Sequence, residues 1–231
     1  MAFGLGRLFK GEGRSSAGLP DDVRQELEAW RASPAPALEA PHFHTRYVVV
    51  DIATSGRRAG EDALKGISAV GIKAGAIVAS DAFALDFSGE AGDNAAPQED
   101  LLRGAVDRQL LAFLQYAAKA PLVTYHVSFV SSFLERVYKE RLDVDFQPQW
   151  IDLTWLLPSM FRERSDEPLP LDEWLDRFGL AGGGRRDTMA NTLMIARLFQ
   201  ILLARATTLE ILNAGMLVDE SKSASFLRRG H

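Results

Sequence analysis

Cysteine is absent from this chain of 231 residues. Its absence excludes a disulfide framework, a cysteine-ligated zinc or iron–sulfur site, and thiol catalysis. Any metal would therefore be held by carboxylates, carbonyl oxygens or the four histidines. Long apolar runs are lacking too, because Arg197 and Arg205 interrupt the most apolar stretch, 194–206. That stretch falls short of the roughly 20 residues that a membrane-spanning helix needs.

Basic charge is also scarce, with 26 Lys and Arg against 31 Asp and Glu and a formal net charge of -5. This balance disfavours a protein that holds nucleic acid by bulk charge, although it permits a local basic patch. The sequence contains no phosphate-cradling G-x-x-x-x-G-K-[ST] loop and no G-x-S-x-G nucleophile elbow. The first residues, MAFGLGRLFKGEG, lack the continuous apolar core of a secretory signal. We therefore expect a cytoplasmic protein without a membrane span.

The composition divides the chain into three parts. Residues 1–41 comprise a glycine-rich tail, a short helix that begins after Pro20, and a Pro/Ala linker, SPAPALEAP. The tail is expected to be flexible, because it offers too little apolar surface to offset the entropy of ordering. We expect a compact domain over 42–206 and a C-terminal extension of unassigned role over 207–231.

The hydrophobic pattern of the compact domain switches between strand and helix. The β-branched run YVVVDI has strand length, and two more strands, 67–73 and 77–87, follow on either side of Ala74 and Gly75. A helical pattern then ends at Pro121, and the short apolar run LVTYH predicts a fourth strand before the next helix. Later helices are predicted from about Leu153, Leu171 and Asp187. This order predicts an α/β fold whose mixed central sheet, an antiparallel meander plus a parallel strand, is flanked by helices.

Three segments carry a family resemblance through their order and their strand-to-helix context. They are VVVDIATSG at the end of the first strand, PLVTYHVSFVSSFLERV across a strand and a helix, and GGGRRDTMANTLMIARLF at the start of a later helix. Together with WIDLTWLLP and LDEWLDRFGL, they resemble the motifs of the DEDD-type 3′-to-5′ exonucleases, the proofreading-subunit family. The resemblance covers about residues 46–206 and implies a ribonuclease H-like exonuclease fold.

The resemblance also implies where five functional side chains should lie. The family places two acids in its first motif, one acid in its second, and a histidine and an acid in its third. The corresponding positions here are occupied by Asp51, Ala53, Val130, Arg186 and Asn191. Only Asp51 keeps the family residue. Val130 continues an apolar helical stripe and is expected in the core, and Asn191 is expected to be a hydrogen-bonded interior amide.

These substitutions bear directly on the family's chemistry, which uses two divalent ions to activate water and stabilise the leaving oxygen. Hard cations need oxygen ligands, and the side chains of Ala53 and Val130 have none. Arg186 stays protonated and cannot act as a general base. We therefore predict a catalytically inactive protein with no cofactor and with at most one weakly held metal ion, at Asp51. Mg²⁺ or Mn²⁺ would be required only if the protein is active after all.

Other residues near these motifs have competing interpretations. Arg185 and Arg186 stand next to the start of a helix, where an anion would relieve their repulsion from the helix dipole. With Arg57 and Arg58 they form a candidate phosphate-binding set. Asp187 is expected to cap the helix. His126 takes the place of an asparagine of the second motif, and a structural role is expected for it.

Three functions remain open from the sequence. The first is an inactive exonuclease-fold module that binds single-stranded nucleic acid or a nucleotide, or a protein partner through the N-terminal tail or the C-terminal extension. The second is an active metal-dependent exonuclease with ligands from other positions. The third is a structural subunit of a larger assembly. The acids to consider for the second function are Glu61, Asp62, Asp81 and Asp86.

Overall fold

The computed structural model describes residues 19–87, 96–180 and 187–229. The predictions for the tail 1–18, for Arg185 and for Arg186 lie outside these residues. A five-stranded mixed sheet with the order β3-β2-β1-β4-β5 forms the centre. Its strands are β1 Tyr47–Thr54, β2 Leu64–Lys73, β3 Ala76–Asp86, β4 Leu122–Thr124 and β5 Trp150–Asp152. The helices are α1 Asp21–Ala32, α2 Ala96–Ala117, α3 Val127–Leu142, α4 Leu153–Met160, α5 Leu171–Arg177, α6 Thr188–Thr208 and α7 Ala214–Arg229.

The first three strands form the predicted antiparallel meander. The β2–β3 connection consists of Ala74 and Gly75, which both have positive φ values, 51° and 74°. Two consecutive residues in this conformation make the tight turn whose twist matches that of an antiparallel hairpin. The meander therefore follows from local sequence features, namely a β-branched run, a glycine turn and an alternating third strand.

The other two strands run parallel to β1. β4 pairs with β1 in parallel, and β5 pairs with β4 in the same direction. The strand β4 was predicted from the run LVTYH and is confirmed, although it ends at Thr124. The strand β5 was missed, because three residues are too few to show the alternation on which strand prediction relies. The result is an α/β fold with a mixed sheet flanked by helices, as the sequence predicts.

Helices cover both faces of the sheet. The first face of β1 presents Val48 and Val50 to a core that includes residues of α1, α2 and α3. The second face presents Tyr47 and Val49 to residues of α4, α5, α6 and α7. Side chains of a strand point alternately to opposite faces, so Asp51 lies on the second face, with α6. None of the helices in the described part of the chain is long and apolar enough to cross a membrane.

The C-terminal extension contributes to the second core through α7. Leu217 and Val218 are buried there, and the buried Ser221 hydroxyl accepts a hydrogen bond from the backbone N–H of Asp152 at 2.9 Å. Near the first strand, His42 contacts the Tyr47 hydroxyl at 2.6 Å through Nδ1. Its Nε2 contacts the Ile211 carbonyl at 2.8 Å. These contacts connect both ends of the described chain to the sheet.

Candidate functional site

Asp51 lies near the carboxyl end of β1, the central strand of the sheet. Burial raises the pKa of its carboxyl group to about 6, although hydrogen bonds from the Ile52 backbone and the Asn191 side chain oppose the shift. Asn191 belongs to the first turns of α6 and is half-buried. The structure therefore brings together Asp51 and Asn191, which the resemblance places in the first and third motifs. The predicted hydrogen bonding of the Asn191 amide is observed.

A polar pair next to Asp51 joins the sheet to the same helix. Ser68 is the neighbour of Asp51 on β2, and its hydroxyl lies 2.8 Å from the hydroxyl of Thr192. Both residues are buried, at 3% and 0% exposure, so the hydrogen bond satisfies groups that water cannot reach. Thr192 also donates to the carbonyl of Thr188 at 2.9 Å. The start of α6 is thus fixed against β1 and β2.

The N-terminus of α6 is capped as predicted. The Asp187 carboxylate accepts a hydrogen bond from the Ala190 N–H at 2.7 Å. A cavity of about 360 Å³ opens between this cap and the ends of the meander strands. Its wall includes Ala53 and Gly66, neighbours on β1 and β2. A glycine is needed at position 66 of this wall, because a Cβ atom there would lie only 2.7 Å from the carbonyl oxygen of Leu85 on β3.

Ala53 and Val130, which occupy two positions where the resemblance implies acids, have side chains without oxygen atoms and differ in their surroundings. Ala53 is half-exposed and lines the cavity, where the family has an acid. Val130 is fully buried, at 0% exposure, in the first core with Phe133 and Leu134. A carboxylate in its place would face desolvation among apolar side chains. The predicted core role of Val130 is observed.

The other acids considered as metal ligands do not converge on Asp51. Arg58 engages two of them, because its side chain pairs with Glu61 at 2.6 Å and its backbone N–H donates to Asp62 at 2.8 Å. Asp81 pairs with Arg46 near the opposite end of β1. Asp86 is nearer, in register with Gly66, which is in register with Ala53. Two strand spacings separate Asp86 from Ala53, about 10 Å.

These positions do not fit a divalent metal centre. Among residues 19–87, 96–180 and 187–229 the structure contains no group of three or more acidic or histidine side chains that could hold a metal ion. Asp51 supplies one carboxylate, whereas a divalent ion in a protein usually takes several oxygen ligands. The described residues therefore give no basis for the two-metal chemistry that the family resemblance implies.

Of the four candidate phosphate-binding arginines, the structure describes two. Arg57 is exposed in the turn after β1, and no acid pairs with it among the described residues. Arg58 is also exposed, but Glu61 neutralises its guanidinium. The chain that precedes Asp187 contains Arg185 and Arg186, which lie outside the described residues.

His126, which takes the place of an asparagine of the second motif in the resemblance, lies at the same edge of the sheet. It is exposed at the junction of β4 and α3, with φ 65° and ψ 69°. Its Nδ1 lies 3.2 Å from the hydroxyl of Thr154, and its backbone N–H donates to the same hydroxyl at 2.8 Å. The expected structural role is visible in the backbone, which caps α3. The exposure of the ring was not predicted, because His126 lies between a strand and a helix, where no hydrophobic periodicity indicates which side chains are buried.

Asp152 supports the same junction from the end of β5. Its carboxylate accepts hydrogen bonds from the backbone N–H groups of Val127 and Thr154, at 3.1 and 3.0 Å. Burial raises the pKa of Asp152, whereas these hydrogen bonds and the nearby His126 act in the opposite direction. The ends of β1, β4 and β5 thus place Asp51, His126 and Asp152 at one edge of the sheet.

No family model and no curated protein matches the chain. Among solved structures it is similar to E. coli exonuclease I in complex with a dT13 oligonucleotide, with 15% identity and a TM-score of 0.51 over 71% of this chain. A complex of the same enzyme with a dA16 oligonucleotide has 13% identity and a TM-score of 0.50 over 76% of this chain. The structure of exonuclease I that suggests how processivity is achieved has 14% identity and the same TM-score over 76%.

The matched regions make up 42% of each of these three exonuclease I chains. The chain thus matches less than half the length of these structures. At such low identity the similarity shows the fold alone, and that fold is the ribonuclease H-like exonuclease fold implied by the motif order.

Proposed function

We propose that this protein binds an end of single-stranded nucleic acid at the carboxyl edge of its parallel strands and does not cleave it. The observation that carries the proposal is the pairing of Asp51 with the Asn191 side chain. In the resemblance, both positions belong to acids that hold metal ions. Here a neutral amide donates a hydrogen bond to the carboxyl group instead.

The loss of cleavage follows from the charge of the site. Four carboxylates would provide ligands for two divalent ions, whereas Asp51 alone provides one. Ala53 and Val130 offer no side-chain oxygen. The histidine that would accept a proton from water is replaced by Arg186, which stays protonated. Loss of a general base alone lowers rates by about 10²- to 10⁴-fold.

Nucleic-acid binding is supported by the fold and by the position of the carboxyl ends of its parallel strands. Ligands of open α/β sheets bind in the crevice outside the carboxyl ends of the strands. The parallel strands β1, β4 and β5 have their carboxyl ends at one edge of this sheet. Exonuclease I, which shares the fold, is seen in complex with oligonucleotides. Arg57 would add positive charge beside this crevice.

The proposal is tested by fluorescence anisotropy with 5′-labelled single-stranded DNA and RNA, in EDTA and in millimolar Mg²⁺. We expect binding that weakens with salt, because phosphate contacts release counterions. Mg²⁺ should not strengthen binding, because no metal bridges the protein and the phosphates; as a competing counterion it should act like added salt. Arg57→Ala should weaken binding by about two- to tenfold, the effect of one phosphate contact.

Arg162→Ala is the matched control for this experiment. Arg162 is also exposed but follows α4, close to the C-terminal end of α6, whose Arg205 contacts the carbonyl of Met160. It therefore lies away from the carboxyl edge, and its removal should leave the affinity unchanged. Equal losses for the two variants would contradict binding at this edge, and a wild-type protein that binds neither DNA nor RNA would contradict the proposal as a whole.

A protein partner is the second candidate, and one observation favours it. On α7, Phe226 and Leu227 are 80% and 67% exposed. Adjacent exposed apolar side chains are a common feature of partner-binding surfaces. Cross-linking of the wild type and of the double variant Phe226→Ser with Leu227→Ser tests this candidate. If α7 contacts a partner, the double variant should lose the cross-linked product and should keep the oligonucleotide affinity of the wild type.

A further inference from the structure

The backbone of His126 adopts a conformation that few residues accept. Its φ of 65° and ψ of 69° lie in the left-handed region, which is sterically unfavourable for a residue with a Cβ atom. Surrounding hydrogen bonds hold it there, since the His126 N–H donates to Thr154 and the Val127 N–H donates to Asp152. The junction between β4 and α3 therefore presents the histidine in one defined orientation.

The imidazole ring is oriented as well. The Thr154 hydroxyl accepts the backbone N–H of His126, so its own hydrogen is available for Nδ1, 3.2 Å away. When Nδ1 is the acceptor, the neutral imidazole carries its proton on Nε2. The ring also packs edge-on against Tyr125, with 4.9 Å between the ring centres. Tyr125 is itself anchored by its hydroxyl, which donates to the carbonyl of Leu169.

The outer edge of the ring has no partner among the described residues. The described hydrogen bonds of the His126 side chain use Nδ1 and not Nε2. The residue is exposed, so the ring is accessible to a ligand. His42 differs, because both of its ring nitrogens contact protein atoms, the Tyr47 hydroxyl and the Ile211 carbonyl.

The position of this donor coincides with the edge proposed for nucleic acid. In the parallel pair β1–β4, Val49 is in register with Val123. Two residues further along each chain are Asp51 and Tyr125, and His126 follows directly. His126 therefore begins α3 beside the crevice at which β1 ends.

We propose that His126 is a phosphate-binding residue, which donates a hydrogen bond from Nε2 to a non-bridging oxygen of a phosphodiester next to the bound end. Thr154 is the positioning residue that fixes the ring. This inference rests on the proposed nucleic-acid binding and names one contact that carries it. It requires no metal, because an N–H group can donate a hydrogen bond directly to an ionised phosphate oxygen.

The test pairs a change in the protein with a change in the ligand. The protein variant is His126→Asn, because asparagine tolerates the left-handed conformation and should preserve the fold. The ligands are single-stranded oligonucleotides with an uncharged methylphosphonate at one of the linkages nearest the 3′ end or the 5′ end. The measured quantity is the dissociation constant of each combination.

We expect the wild type to lose about tenfold in affinity for a methylphosphonate at one linkage, the effect of a hydrogen bond to a charged group. His126→Asn should bind the unmodified oligonucleotide about tenfold more weakly and should be insensitive to the same methylphosphonate. Thr154→Ser, which keeps the hydroxyl, should behave as the wild type. His44→Asn is the matched control, because His44 is an exposed histidine before the start of β1.

The outcomes separate this inference from the proposed function. If the wild type binds no oligonucleotide, both are wrong. If the wild type binds but His126→Asn shows the same sensitivity to every methylphosphonate, the assignment of His126 is wrong and nucleic-acid binding stands. Equal melting temperatures for the wild type and His126→Asn would show that a lost affinity does not arise from unfolding.

Discussion

The side-chain amide of Asn191 hydrogen-bonds the carboxyl group of Asp51, across the contact between α6 and β1. Burial raises the pKa of Asp51 to about 6 in spite of this hydrogen bond. The pair thus replaces repulsion between two carboxylates by one hydrogen bond. Two unit charges 4 Å apart would interact by about 4 kcal/mol at an effective dielectric constant of 20. An amide at this position therefore avoids the repulsion that a second carboxylate would bring in the absence of a metal.

The raised pKa of Asp51 predicts how stability depends on pH. Because the folded-state pKa is about 6 and the unfolded-state pKa is about 3.9, the carboxyl costs nothing well below pH 4, destabilises the fold increasingly as pH rises from about 4 to 6, and has its full cost above that. The full cost is about 3 kcal/mol. Asp51→Asn should thus be more stable than the wild type at pH 8 and nearly equal to it at pH 4. Urea unfolding of both proteins at the two pH values measures the difference, and a gain that is the same at both would contradict the shift.

Asp81 predicts the opposite pH dependence. Hydrogen bonds from Arg46, at 2.8 and 2.9 Å, with further support from Lys73, lower the pKa of Asp81 to about 2. Its contribution to stability is present above the unfolded-state pKa of about 3.9 and is lost as pH falls toward 2. Asp81→Asn should cost about 1–2 kcal/mol at pH 7 and much less near pH 2. Comparison of urea midpoints at both pH values checks this, and an equal cost at both would show that the ion pair is not the cause.

Restored acids should create the metal dependence that the wild type lacks. Ala53→Glu together with Asn191→Asp places three carboxylates near one another, so the variant should melt below the wild type in EDTA. Millimolar Mn²⁺ should raise its melting temperature, because binding at 100 times the dissociation constant adds about 2.7 kcal/mol. The wild type should show no such shift. Differential scanning fluorimetry records both responses, and a Mn²⁺ shift in the wild type would count against the loss of the metal centre.

The buried ion pair between α2 and α3 should matter for stability and not for binding. Arg141 and Asp107 lie 2.7 Å apart and are 7% and 1% exposed at their side chains. Asp107→Ala would leave the arginine charge buried, at a cost of about 3–5 kcal/mol. The double variant Asp107→Leu with Arg141→Met should recover much of that cost, because it leaves no buried charge. Chemical unfolding measures both, and a single variant as stable as the wild type would rule out this account of the pair.

Much of the fold was predictable because its signals are local. The β-branched run of β1, the Ala74–Gly75 turn and the apolar stripe of α3 each carry a periodicity or turn chemistry that identifies the element. The burial of Val130 follows from that stripe. The strand β5 was too short for such a signal. The buried face of α7 includes Ser221 and Ala224, so its apolar periodicity is weak.

The candidate site was predictable only in part, because its contacts join distant segments. The sequence predicts that the Asn191 amide is hydrogen-bonded. It does not identify Asp51 as the partner, because that contact depends on how α6 packs on β1. The ring orientation of His126 depends on Thr154, which lies beyond the whole of α3 and β5, in the first turn of α4. The positions of Arg185 and Arg186 lie outside the described residues, so their proposed role in phosphate binding stays a prediction.

The most direct test of the central claim is a cleavage assay with 3′-labelled single-stranded DNA and RNA in Mg²⁺ and in Mn²⁺. If the site has lost its metal ligands, the oligonucleotides stay full length, also at protein concentrations that saturate binding. Metal-dependent shortening that disappears in Asp51→Asn would contradict the account and would show that this carboxylate still serves catalysis.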